Sequence, residues 1–166
     1  MSYVVMKEDS PAVRTAHILL VEDNEMDVEL TLNAFRELEQ RRLREGEGIK
    51  CTVSVVRSGQ EALDYVFGRG AFANREDHPV PDLILLDLKM PGIDGCEVLR
   101  RIKQAPDVQR TPVIMLTSSE EEQDRRQSYR FGANSYLVKP FSFEAFSRMI
   151  GTLVSYWCGH NVRPPR

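Results

Sequence analysis

Cysteine, histidine and long one-sided stretches are scarce in this chain, and each scarcity excludes something. The three cysteines, Cys51, Cys96 and Cys158, form no CxxC pair and are odd in number. That count encodes neither a disulfide framework nor a thiolate metal site, and it fits core or surface thiols in a reducing compartment. His17, His78 and His160 are scattered without ligand spacing, which removes a histidine metal centre and a phosphohistidine role. No apolar run approaches the roughly 18 to 20 residues that span a bilayer. The first residues, Met1 to Asp9, lack the basic start and long apolar stretch of a signal peptide. There is no long Lys/Arg run and the formal net charge is −3, so direct nucleic-acid binding is not expected. Internal repeats, low-complexity tracts and domain linkers are absent as well. A cytoplasmic chain with no membrane attachment is the expectation.

What is present is an ordinary globular composition. The 166 residues are 42% hydrophobic and 28% charged, enough for one domain that buries about 70% of its unfolded surface without a staple. Residues 1–16 read as an N-terminal arm ending in Ser10-Pro11, with β-prone Tyr3 to Met6 inside it. Residues 17–158 form the domain, and 159–166, with two prolines, read as a tail with little to pack.

The chain is organised around Leu83-Ile84-Leu85-Leu86 and the acid that follows, Asp87. Four apolar residues without alternation or helical spacing predict a strand buried on both faces, as in parallel sheets. A carboxylate directly after such a strand must emerge in a crevice that holds partners for its charge. Three other strands have similar form. His17 to Val21 ends in Glu22-Asp23, Val113 to Leu116 in Thr117-Ser118-Ser119, and Tyr136 to Val138 in Lys139-Pro140. A fifth, Cys51 to Val56, alternates partly and has one less buried face.

Helices are predicted between them. Asn24 caps the first, which stops near Gly46, and Ser58 with Glu61 forms a capping box for the second. A polar loop from Gly68 to Pro81 follows. Asp94 caps the third helix, the hydroxyls of Thr117 to Ser119 cap a fourth that begins near Glu120, and Ser142 caps the last. Glu120 to Glu122 read as the solvated first turn of that fourth helix, Gly132 as its end, and Phe143 and Trp157 as packing residues. Strands and helices in alternation give an α/β chain of (βα)5 type, a doubly wound five-stranded parallel sheet.

With strand order 2-1-3-4-5, the residues past four strand ends share one crevice. Glu22, Asp23, Asp87, Thr117 and Lys139 would ring it. Three carboxylates together repel and need a cation, and Mg²⁺ takes a few protein oxygens, several waters and a phosphate. Asp23 and Asp87 suit direct ligation, and Glu22 direct or water-mediated ligation. A carboxylate can attack phosphorus to give an acyl phosphate, while Lys139 neutralises charge on the phosphoryl oxygens. Singly, Asp23, Asp94 and Thr117 are adequate helix caps and Lys139 an adequate solvated lysine. Their joint placement makes the site.

These stretches resemble the receiver domain of two-component response regulators. The matching segments are Leu19 to Asn24, Asp87 to Gly95, Leu116-Thr117 and Tyr136 to Phe141. The resemblance implies a flavodoxin-like receiver fold with Asp87 as phospho-acceptor from a sensor histidine kinase. It makes Glu22 and Asp23 the acidic pair and Thr117 and Lys139 the phosphate contacts. The main-chain carbonyl of Lys89 completes the Mg²⁺ shell, and the Lys139-Pro140 bond is cis. Tyr136 is the aromatic switch that moves with Thr117 and couples the pocket to the surface of helix four, strand five and helix five, a dimer or partner face. The chain ends soon after the fifth helix, as in stand-alone receivers. Its long first helix, long Gly68 to Pro81 segment and N-terminal arm are similar in length to regulators paired with bacterial phytochrome kinases. The expected role is signalling, not enzymatic turnover. Two alternatives are a phosphate-independent pseudo-receiver, which would lose the site residues kept here, and a Mg²⁺-dependent aspartyl phosphohydrolase. The phosphohydrolase would carry an acid two residues past its nucleophile, where this chain has Lys89.

Overall fold

The computed structural model describes residues 14–46 and 49–165. The β-prone Tyr3 to Met6 of the N-terminal arm lies outside them. Five strands, β1 (Arg14–Val21), β2 (Ile49–Val56), β3 (Leu83–Leu86), β4 (Val113–Thr117) and β5 (Ser135–Val138), form one parallel sheet in the order β2-β1-β3-β4-β5. The helices between and after them are α1 (Glu25–Glu45), α2 (Gly59–Phe67), α3 (Gly95–Gln104), α4 (Glu122–Arg130) and α5 (Phe143–Val154). This is the expected doubly wound (βα)5 architecture.

The continuous apolar runs divide between two cores because a strand points successive side chains to opposite faces. Leu19, Val21, Ile84, Leu86, Val113 and Met115 pack under α2 and α3. Ile18, Leu20, Leu83, Leu85, Ile114 and Leu116 pack under α1 and α5, against Ala34, Phe35, Leu38, Phe146 and Ile150. Each such side chain contributes about 1.5–3 kcal/mol by leaving water. Phe143 and Trp157 are half-buried against this second core, as expected.

Register carries the fold to the site. Val21 lies beside both Val56 and Leu86, and Thr117 beside Val138. The backbone ladder continues one step further: Glu22 N–H donates to Val56 C=O (3.1 Å), Asp87 N–H to Val21 C=O (3.0 Å) and Lys139 N–H to Thr117 C=O (2.8 Å). Glu22 and Asp87 therefore leave adjacent strands at the same level.

Most caps form as expected. Asn24, Ser58, Asp94 and Ser142 each accept from the backbone N–H three residues on. In the second of these boxes Glu61 reaches back to the N–H of Arg57, one residue before the cap. Gly46 ends α1 in the left-handed region, at φ 73°, which costs a glycine nothing.

Four expectations are corrected. First, α4 starts at Glu122 and has no side-chain cap. Ser119 Oγ is engaged with Asp124 at 2.6 Å, and of Glu120 to Glu122 only the last is helical. Second, the Lys139-Pro140 peptide is trans, the form an X–Pro bond favours by about 0.5–1 kcal/mol, and Lys139 reaches the pocket from it. Third, the last helix continues as a π-helical segment, Ser155–His160, with Cys158 buried. Fourth, the tail packs: Arg163 pairs with buried Asp82.

Gly95 sits where backbones meet. A Cβ added there would lie 2.2 Å from the carbonyl oxygen of Asp87 and 2.8 Å from Leu88 Cα. Gly95→Ala is expected to cost about 2 kcal/mol, read as a lower urea midpoint at unchanged slope. A midpoint equal to wild type would mean that this contact is not tight in solution.

Candidate functional site

Four strand ends and one helix start build the pocket. Carboxylate oxygens of Glu22, Asp23 and Asp87 all lie within 4.8 Å of one another. Glu22 and Asp87 are buried, at 2% and 8% exposure, while Asp23 is exposed. Lys139 Nζ lies 2.6 Å from Glu22 Oε2, 3.0 Å from Asp27 Oδ2 and 4.0 Å from Asp87 Oδ1. The carboxylates are oriented by backbone: Asn24 N–H donates to Glu22 Oε1 (3.0 Å) and Leu88 N–H to Asp87 Oδ1 (2.9 Å).

Asp27, an acid in the first turn of α1, joins this pocket as well. The available signal was its place three residues past the Asn24 cap of a helix that begins directly at a strand end.

Four acids against one ammonium leave the pocket short of positive charge. Burial pushes the Glu22 carboxyl up to about 7, against the hydrogen bond from Lys139 and with the charge of Asp87 adding to the rise. Burial also raises Asp87, opposed by Lys139 and the Leu88 N–H and reinforced by Asp23. For Lys139, burial alone would lower the ammonium, but the bond to Glu22 and the charge of Asp87 outweigh it and hold it above its ordinary value. The converging oxygens are hard donors at a partly open site, which fits a divalent cation of the Mg²⁺ or Mn²⁺ kind.

The other predicted residues fall into two groups. Thr117 is buried at the end of β4, at 1% exposure, and its Oγ1 accepts from Ser119 N–H at 3.2 Å. Tyr136 is half-buried, with its hydroxyl donating to Ser119 C=O at 2.9 Å. The Lys89 side chain does not join the acidic cluster and instead pairs with Asp124 at 2.8 Å. Asp94 only caps α3.

Residues 18–151 match the family described as the response regulator receiver domain. The chain belongs to the response regulator receiver family. Among curated relatives, the probable methanogenesis regulatory protein FilR2 of Methanothrix harundinacea is 35% identical over 160 residues, covering 96% of this chain and 92% of that protein. Response regulator Rcp1 of Synechocystis sp. is 36% identical over 140 residues, covering 84% and 87%. Its Mn²⁺-bound structure superposes with a TM-score of 0.76, covering 90% of this chain and 99% of that one. The phosphorylated cyanobacterial phytochrome response regulator RcpA superposes with a TM-score of 0.80 at 33% identity, covering 91% and 99%. Among the described residues of this receiver, no helix is long and apolar enough to cross a membrane.

The raised Glu22 carboxyl has a consequence with a definite sign. An unfolded glutamate ionises near 4.5 and the folded one near 7. Between those values the unfolded chain holds fewer protons, so cation-free stability falls as pH rises from about 4.5 to 7 and then levels. Urea unfolding of wild type minus Glu22→Gln is expected to show a decline on the order of 2 kcal/mol across that window. Millimolar Mg²⁺ is expected to reduce it. A flat difference would place Glu22 at its ordinary value.

Proposed function

We propose that this receiver accepts a phosphoryl group on Asp87 from the phosphohistidine of a sensor histidine kinase in a Mg²⁺-dependent reaction. The observation that carries the reading is the convergence of Glu22, Asp23 and Asp87, with Lys139 set against the same carboxylates. Asp87 Oδ1 is held by Leu88 N–H and faces Lys139, which leaves Oδ2 as the attacking oxygen. That oxygen forms the new O–P bond as the N–P bond to the kinase imidazole breaks, and the electron pair leaves with the imidazole nitrogen. Lys139 sits where it can meet negative charge on the phosphoryl oxygens, and Thr117 Oγ1 supplies a hydroxyl at the neighbouring strand end. Glu22, Asp23, Asp87 and the main-chain carbonyl of Lys89 would hold Mg²⁺. When bound, the ion supplies charge neutralisation between the carboxylates and the incoming phosphoryl group.

Phosphorylation adds about −1.5 to −2 charge to a site already rich in acid. Thr117 moving to the phosphate and Tyr136 following it would shift the surface of α4, β5 and α5. That surface exposes Tyr129 and Val138, and we assign it to homodimerisation or kinase contact. The likeness to RcpA supports a kinase of the phytochrome type, and a cytoplasmic signalling role without direct nucleic-acid or membrane binding accords with the composition. Hydrolytic turnover of phosphate monoesters is not favoured: the residue two beyond Asp87 is Lys89, engaged with Asp124.

The test is intact mass after incubation with acetyl phosphate, with and without Mg²⁺, for wild type and Asp87→Asn. A gain of one phosphoryl group that requires Mg²⁺ and disappears in Asp87→Asn is expected. No adduct, where a control receiver is labelled, would overturn the proposal in favour of a phosphate-independent interaction module.

A further inference from the structure

Helix α4 is attached to the domain in an unusual way. Its only buried residues are polar, Asp124 and Ser128, and the rest of its surface is exposed. Asp124, at 9% exposure, holds two groups on one oxygen: Ser119 Oγ donates to Oδ2 at 2.6 Å and Lys89 Nζ lies 2.8 Å from the same atom. Ser128 Oγ donates to the main-chain carbonyl of Asp124 at 2.8 Å, and Tyr136 holds the Ser119 carbonyl from the other side. Lys89 and Ser119 are each two residues beyond a site residue, Asp87 and Thr117. One carboxylate thus draws the side chains flanking both of those strand ends toward α4.

We infer that Asp124 is a positioning residue that sets the lifetime of the Asp87 acyl phosphate by holding the Lys89 ammonium away from it. This rests on the proposed phosphorylation of Asp87. In hydrolysis a water oxygen attacks phosphorus, the P–O bond to Asp87 breaks with its electron pair returning to the carboxylate, and the water proton passes to solvent. Lys89 is 61% exposed at its side chain and is restrained through Asp124. Freed, its ammonium pairs with the phosphoryl oxygens and stands in the path of the water. Standing in that path, it excludes the attacking water, and this exclusion slows hydrolysis.

The experiment follows decay of the phosphoryl-protein by intact mass, on full-length wild type, Asp124→Asn, Asp124→Glu, and Asp124→Asn within a Lys89→Ala background. Asp124→Asn is expected to lengthen the half-life about fivefold, the upper worth of an exposed ion pair. Asp124→Glu is expected to restore it toward wild type. In the Lys89→Ala background the same substitution should leave the half-life unchanged, because the group being released is gone. A merely structural Asp124 would give the same change in both backgrounds, and that result overturns the inference. So does an Asp124→Asn half-life equal to or shorter than that of wild type. Failure of wild type to be labelled at all would instead overturn the phosphorylation proposal itself.

Discussion

The ion pairs of Lys139 are the interaction on which the site depends. One ammonium, held above its ordinary value, stands against Glu22, Asp27 and Asp87 in a pocket where burial raises Glu22 and Asp87. Removing one member of such a buried cluster leaves the others uncompensated, which costs far more than an exposed pair is worth. The sheet is arranged so that this cannot be relaxed easily. Lys139 is tied by its own N–H to Thr117, Asp87 to Val21 and Glu22 to Val56, so each charge is fixed through a backbone bond to the strand beside it.

That surplus of negative charge also decides what the pocket can take up. A pocket built with too few cations for its acids favours a divalent ion or another charge-neutralising contact. The two large faces of the sheet are packed with Ile, Leu and Val and have little room to move. Helix α4 differs, since the only side chains it buries are polar. An element fixed by hydrogen bonds and an ion pair near the site can be re-set by a local change of charge that the two cores would not transmit. Tyr136 and Ser119 join this polar attachment to the end of β4.

Much of this was legible in the sequence. Leu83 to Leu86 coincided with β3, the Asn24, Ser58, Asp94 and Ser142 caps formed, and Glu22, Asp23, Asp87 and Lys139 came together. They were legible because a strand buried on both faces and a short polar cap are local patterns, and parallel topology then gathers every strand end on one side. The start of α4 was missed because Ser119 Oγ accepts from Glu121 N–H while donating to the Asp124 carboxylate, so it bonds the backbone just before the helix and not its first turn. The packed tail was missed because Arg163 finds its acid at Asp82, far away in the chain.

The chain by itself determined which segments become strands and helices and which residues stand at their ends, since hydrophobic pattern and capping act over a few residues. Only the tertiary structure decided which acids Lys139 would meet, that Asp27 would be one of them, and that Asp124 would gather Lys89 and Ser119. Charges interact through space at 3–4 Å, and which charges come that close is set by sheet register and helix placement, not by spacing along the chain.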